Sequence, residues 1–109
     1  PERYSYQAVR LLAEKGHVPY PVHPSLDKVD DLAVYKKVSD VPDRIDTVTV
    51  YLSARNQKRL PDDILDKPGV TRVIFNPGAE NPALAERLRS AGIKVVEACT
   101  LVMLRTEQF

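Results

Sequence analysis

Apolar positions recur at helical spacing near the start of the chain. Tyr4, Ala8, Leu11 and Leu12 stand at i, i+4, i+7 and i+8, which places them on one helix face. Gly16 ends that helix, and residues 17–22 are expected to resume as a strand. Val48-Thr49-Val50-Tyr51-Leu52 and Val73-Ile74-Phe75 are short β-branched or aromatic runs without a polar face, which suits strands covered on both sides. Ser53 follows the first run as a candidate N-cap for a helix over residues 54–60. Pro61 then interrupts and restarts a helix through Asp62, Asp63, Ile64 and Leu65, with both carboxylates near the positive end of its dipole. Pro68-Gly69 ends that segment.

The clearest local signal is Asn76-Pro77-Gly78-Ala79-Glu80-Asn81-Pro82. Asn81 is placed to cap a helix and Pro82 to open it, after which Leu84, Ala85, Leu88 and Ala91 form an apolar stripe. Gly92 closes the helix, residues 93–96 make a last strand, and the apolar segment 100–104 docks as a helical turn. Residues 26–42 carry charges and few periodic apolar positions, so they read as a surface connection with a short helix near 38–41. Strand and helix signals alternate, the pattern of βα units feeding a parallel sheet. The expected fold is α/β, a three-layer sandwich with a mostly parallel sheet and strands near residues 18–22, 47–52, 71–75 and 93–96.

Composition narrows the class. A chain of 109 residues holds one core and one domain. Sixteen basic and fifteen acidic side chains give a net charge of +1, too little field to collect nucleic acid or an anionic membrane. Cys99 is the one cysteine, so neither a disulfide framework nor a paired-cysteine zinc site is available. A reducing cytoplasm is the expected setting. No apolar run approaches the roughly 20 residues that span a bilayer, and no secretory leader pattern is seen.

The catalytic inventory is thin. His17 and His23 have no sequence-evident carboxylate partner, and no Gly-x-Ser-x-Gly elbow is present. Adjacent carboxylates in Asp30-Asp31 and Asp62-Asp63 point in different directions, so they read as solvated surface. The two histidines and the cysteine lack metal-ligand spacing. A binding module is therefore expected rather than an enzyme.

Three segments in order, Arg3-Tyr4-Ser5, then Gly16-His17 with Tyr20-Pro21-Val22-His23-Pro24, then Asn76-Pro77-Gly78-Ala79-Glu80-Asn81, resemble the CoA-binding domain family. This is the Rossmann-like module also found at the N-terminus of the succinyl-CoA ligase alpha subunit and, in bacteria, as small stand-alone proteins. The resemblance implies a Rossmann-like fold and coenzyme A as ligand. The family begins with a strand and a Gly-Ala-Ser type loop that do not precede Pro1, so an upstream segment is expected in the natural protein. The ligase relatives also place a lysine soon after the Val-x-Pro turn. Here Ser25, Leu26 and Asp27 follow Pro24 and Lys28 comes only later, an expected weakening of phosphate contact.

In open parallel sheets ligands sit outside the carboxyl ends of the strands. The residues on that rim are Arg3, Tyr4 and Ser5 at the first helix, His23, Pro24 and Ser25 after the strand ending at Val22, Ser53, and Asn76, Pro77 and Gly78 with Asn81. Cys99 follows the last strand onto the same rim. A lone cysteine commonly serves as a small buried hydrophobe; facing the pocket, it would instead form a mixed disulfide with the thiol of CoA. Three functions stay open: binding of CoA or an acyl-CoA, an NAD(P)-binding oxidoreductase-type domain, and a regulatory module with a degenerate pocket. An acidic residue expected for NAD at the end of the second strand is replaced by His23. The partner is a small nucleotide ligand, with no nucleic acid, membrane or metal implied, and the oligomeric state is left open.

Overall fold

The computed structural model describes residues 2–22, 28, 29 and 32–109, with side chains for 7–22 and 32–109. The chain opens with α1 (Glu2–Glu14), whose Ala8 is buried while Leu11 and Leu12 are half-buried, as the helical spacing requires. Gly16 ends it at φ +90°, a conformation glycine adopts without strain.

Residues 18–22 are not a strand. Val22 makes one isolated parallel bridge to Tyr35, whose N–H donates to the Pro21 carbonyl at 2.9 Å. The reason is chemical: Pro19 and Pro21 have no N–H to give a ladder, and Val18 stays 73% exposed. The stretch beyond contains a two-stranded antiparallel pair, β1 (Lys28–Val29) with β2 (Leu32–Ala33). A 3₁₀ turn over Val38–Asp40 follows. Val38 and Val41 are buried, so this end of the connection is part of the packed interior and not pure surface.

The main sheet has the order β3-β4-β5, all parallel, from β3 (Thr47–Val50), β4 (Arg72–Phe75) and β5 (Lys94–Glu97). In register, Val50 stands beside Phe75 and Phe75 beside Glu97. β4 is central, and Val73, Ile74 and Phe75 are 0% exposed, the burial expected for a strand covered on both faces. β5 carries exposed Lys94 and Glu97 at its ends, charges that suit an edge.

Side chains alternate across β4. Val73 and Phe75 join one cluster with Ile64 of α2 (Leu60–Leu65) and Leu84, Ala85 and Leu88 of α3 (Pro82–Ser90). Ile74 points to the opposite face, on which α1 packs against α4 (Thr100–Arg105) and Leu101 and Leu104 are buried. The result is the three-layer α/β sandwich. α3 starts as its sequence dictates: the Asn81 side chain accepts the Leu84 N–H at 3.2 Å and Pro82 occupies the first turn. Its stripe is narrower than expected, because Ala91 lies past the last turn and is exposed.

Two expectations about the second βα unit are revised. A single helix over 54–60 is replaced by a 3₁₀ turn at Ala54–Asn56 and by α2, in whose first turn Pro61 lies. Ser53 gives no side-chain bond to a backbone N–H of that turn; its Oγ accepts the Asn56 Nδ2 at 3.1 Å. The acidic doublet is also more than solvated surface. Asp63 accepts the Val38 and Ser39 N–H groups at 2.7 and 2.9 Å, anchoring the 3₁₀ turn on α2. Asp62 pairs with Arg87 of α3 at 2.7 Å.

At the amino end of the sheet, the Arg72 guanidinium lies 4.5 Å from the ring centre of Phe109, and His17 meets the same ring edge-on at 5.0 Å. This is opposite the end where the candidate site is built.

Candidate functional site at the carboxyl ends of the strands

Because β3, β4 and β5 run parallel and in register, the chain leaves all three at one edge. Tyr51, Leu52 and Ser53 leave β3, Asn76, Pro77 and Gly78 leave β4, and Ala98, Cys99 and Thr100 leave β5. This is the place where parallel sheets hold ligands.

Asn76 fastens the three exits together. It is 2% exposed. Its Nδ2 donates to the Val50 carbonyl at 3.0 Å and its Oδ1 accepts the Thr100 N–H at 2.8 Å. The Ala98 N–H adds a bond to the Phe75 carbonyl at 3.1 Å. Asn76 thus ties the ends of β3 and β4 to the start of α4, more than the turn former its sequence context shows.

Beyond it, Ala79 N–H donates to the Asn76 carbonyl at 2.8 Å, closing a turn in which Gly78 takes φ +93°. A β-carbon at Gly78 would meet nothing within 4 Å. The glycine is required by its backbone angle, and the space above it is open. Its N–H donates to Glu80 Oε1 at 2.9 Å.

A second buried amide, which the sequence did not single out, supports this turn. Gln57 is 2% exposed. Its Nε2 donates to the Leu52 and Ala79 carbonyls at 2.7 and 2.9 Å, and its Oε1 accepts the Asn81 Nδ2 at 3.1 Å. The β3 exit, the Gly78 turn and the cap of α3 are thereby one hydrogen-bonded unit. A polar residue between a 3₁₀ turn and a helix carries no periodic signal that would have marked it.

The hydroxyls of Tyr51 and Thr100 are shielded from solvent and face each other, with no other hydrogen-bond partner. Burial pushes the Tyr51 phenol above its ordinary value of 10.0; the facing Thr100 hydroxyl pulls it back, and negative charge on Cys99 adds to the rise. Cys99 itself is half-buried with a free thiol. Of the residues expected on the rim, Ser53, Asn76, Pro77, Gly78, Asn81 and Cys99 are thus brought to one edge. Arg3, Tyr4 and Ser5 lie in the first turns of α1, with side chains outside the described set. His23, Pro24 and Ser25 lie outside the described residues. Among the described residues no cluster of three metal-ligating side chains occurs, and no helix is long and apolar enough to cross a membrane.

A parallel sheet covered on both faces, with its loops gathered at the carboxyl ends, defines a Rossmann-like class of α/β domain. The family described as CoA binding domain matches residues 1–105, and the chain belongs to that family. A crystal structure of an uncharacterised protein superposes with a TM-score of 0.90 at 39% identity, over 99% of this chain and 88% of the other. A hypothetical protein from Pyrococcus horikoshii OT3 gives 0.89 at 25% identity, over 97% and 75% of the two chains. The dinucleotide forming acetyl-coenzyme A synthetase 1 of Ca. Korarchaeum cryptofilum, in its apo form, gives 0.71 at 25% identity, over 87% of this chain and 23% of that one. No curated protein sequence matches.

Proposed function

We propose that this protein binds coenzyme A or an acyl-CoA at the carboxyl-end rim and acts by binding, without catalysing a reaction. The observation that carries the reading is the coincidence of a CoA binding domain match over residues 1–105 with three loops fastened at one sheet edge by Asn76. The open space above Gly78 lets the main chain approach a ligand closely. The likeness to part of an acetyl-coenzyme A synthetase agrees with a CoA-type ligand. The absence of catalysis rests on how the polar groups are used. Asp62 and Asp63 are engaged by Arg87 and by backbone N–H groups, and His17 packs on Phe109. Each of the three thus has a structural partner that accounts for it.

Thermal unfolding with CoA, acetyl-CoA, NAD and NADP in parallel tests this. A ligand at 100 times its dissociation constant adds about 2.7 kcal/mol, a rise on the order of 10 °C for a domain this size. The expected result is a rise with CoA or acetyl-CoA and none with the dinucleotides, and no release of free thiol from acetyl-CoA. A rise with NAD alone favours the oxidoreductase-type domain. No rise with any of the four favours a module whose pocket no longer binds nucleotides.

A further inference from the structure

Arg55, Lys58 and Arg59 follow the exit of β3 with no acidic residue among them, although the whole chain carries a net charge of only +1. All three are exposed. The segment is wound in helical turns: the Asn56 and Gln57 N–H groups donate to the Ser53 and Ala54 carbonyls at 2.9 and 3.1 Å, and the Leu60 N–H to the Gln57 carbonyl at 3.1 Å. In such turns residues three and four apart share a side, so the three cations gather on one side while Gln57, between them, is buried. Gln57 also fixes where they stand, because its bonds to the Ala79 carbonyl and to Asn81 hold the segment against the Gly78 turn and the open space above it. The carboxylates that would neutralise them are used elsewhere. Asp62 and Asp63, in the turn that follows Arg59, are taken by Arg87 and by the Val38 and Ser39 N–H groups, and Glu80 Oε1 accepts the Gly78 N–H. Among the described residues the charged heads of Arg55, Lys58 and Arg59 meet no carboxylate.

We propose that Arg55, Lys58 and Arg59 are the anion-recognising side of the rim and receive a phosphate group of the CoA-type ligand. This deepens the proposed function and rests on CoA occupying the rim. Coenzyme A carries a diphosphate and a ribose phosphate monoester, and such a ligand is met best by cations that no side chain has already neutralised. An arginine meets a phosphate through paired N–H donors and a lysine as a point charge, so this set supplies both direction and charge. The fastening through Gln57 keeps the cations beside the Gly78 backbone, and a segment already held in place loses little freedom when a ligand binds.

The test is titration calorimetry of CoA into wild-type protein, into a rim variant combining Arg55→Gln, Lys58→Gln and Arg59→Gln, and into a control combining Lys15→Gln, Arg89→Gln and Lys94→Gln. The control removes the same charge away from that edge, just past α1, in the last turn of α3 and at the start of β5. The rim variant is expected to keep the melting temperature of wild type and to bind CoA at least about tenfold more weakly. It is also expected to lose most of the weakening that wild type shows between about 0.05 and about 0.5 M salt. The control is expected to bind as wild type does. Dephospho-CoA, which lacks the ribose phosphate, separates the two sources of phosphate: a penalty that vanishes with it assigns the cations to the monoester, and one that persists assigns them to the diphosphate. Unchanged CoA affinity in the rim variant, or an equal loss in the control, overturns the proposal and leaves CoA at the rim standing. No binding of CoA by wild-type protein overturns both readings.

Discussion

Asn76 is the residue on which the rim depends most. Removing its side chain in Asn76→Ala strands the Thr100 N–H in a buried place and deletes the bond to Val50. The expected loss is about 2–4 kcal/mol by urea unfolding, with CoA affinity falling as well. Gly78 works through its backbone angle. A β-carbon at Gly78 meets no atom within 4 Å, so the cost of about 1–3 kcal/mol expected for Gly78→Val comes from forcing a β-branched residue to φ +93°, and it shows as weaker CoA binding in calorimetry. Tyr51 gives a pH signature. Its phenol is raised above 10.0 in the fold, so the native state holds this proton more tightly than the unfolded chain. The associated stability is fully present below that ordinary value and is lost as pH rises through the raised one. As pH rises through 10.0 and beyond, wild-type protein is expected to lose more stability than Tyr51→Phe. Equal slopes in urea unfolding would contradict the buried phenol. The importance of Gly78 and Asn81 was legible, because turn and cap chemistry is local. The reach of Asn76, and the role of Gln57, was not, because, Leu52 apart, their side-chain partners lie 22 to 26 residues away in the chain.

At the scale of elements, α2 holds two carboxylates that adjacent positions make look alike. Asp63 receives two backbone N–H groups of the Val38–Asp40 turn, whereas Asp62 shares an exposed ion pair with Arg87. Asp63→Ala is therefore expected to cost about 1.5–3 kcal/mol, and Asp62→Asn less than about 1 kcal/mol. Chemical denaturation of the two variants separates them, and equal losses would refute the capping role. The three parallel strands were legible because Thr47–Val50, Arg72–Phe75 and Lys94–Glu97 are β-branched or aromatic at their centres. Residues 18–22 carry apolar side chains too, but Pro19 and Pro21 interrupt the donors, and the segment manages one bridge. Side-chain pattern reported hydrophobicity there, while backbone hydrogen bonding decided the structure.

For the whole molecule, the parallel register turns three separate loops into one edge, and it is at this edge that we propose the ligand of a CoA binding domain sits. At the opposite end of the sheet Arg72 and His17 both pack on the ring of Phe109, so the two ends differ in kind. The central claim is that CoA is held at the carboxyl-end rim. Amide hydrogen exchange with and without saturating CoA measures it most directly. The account predicts slowed exchange in residues 51–53, 76–81 and 98–100 and little change at 43–46 and 69–71; protection confined to the amino end of the sheet, or none anywhere at saturation, would contradict it.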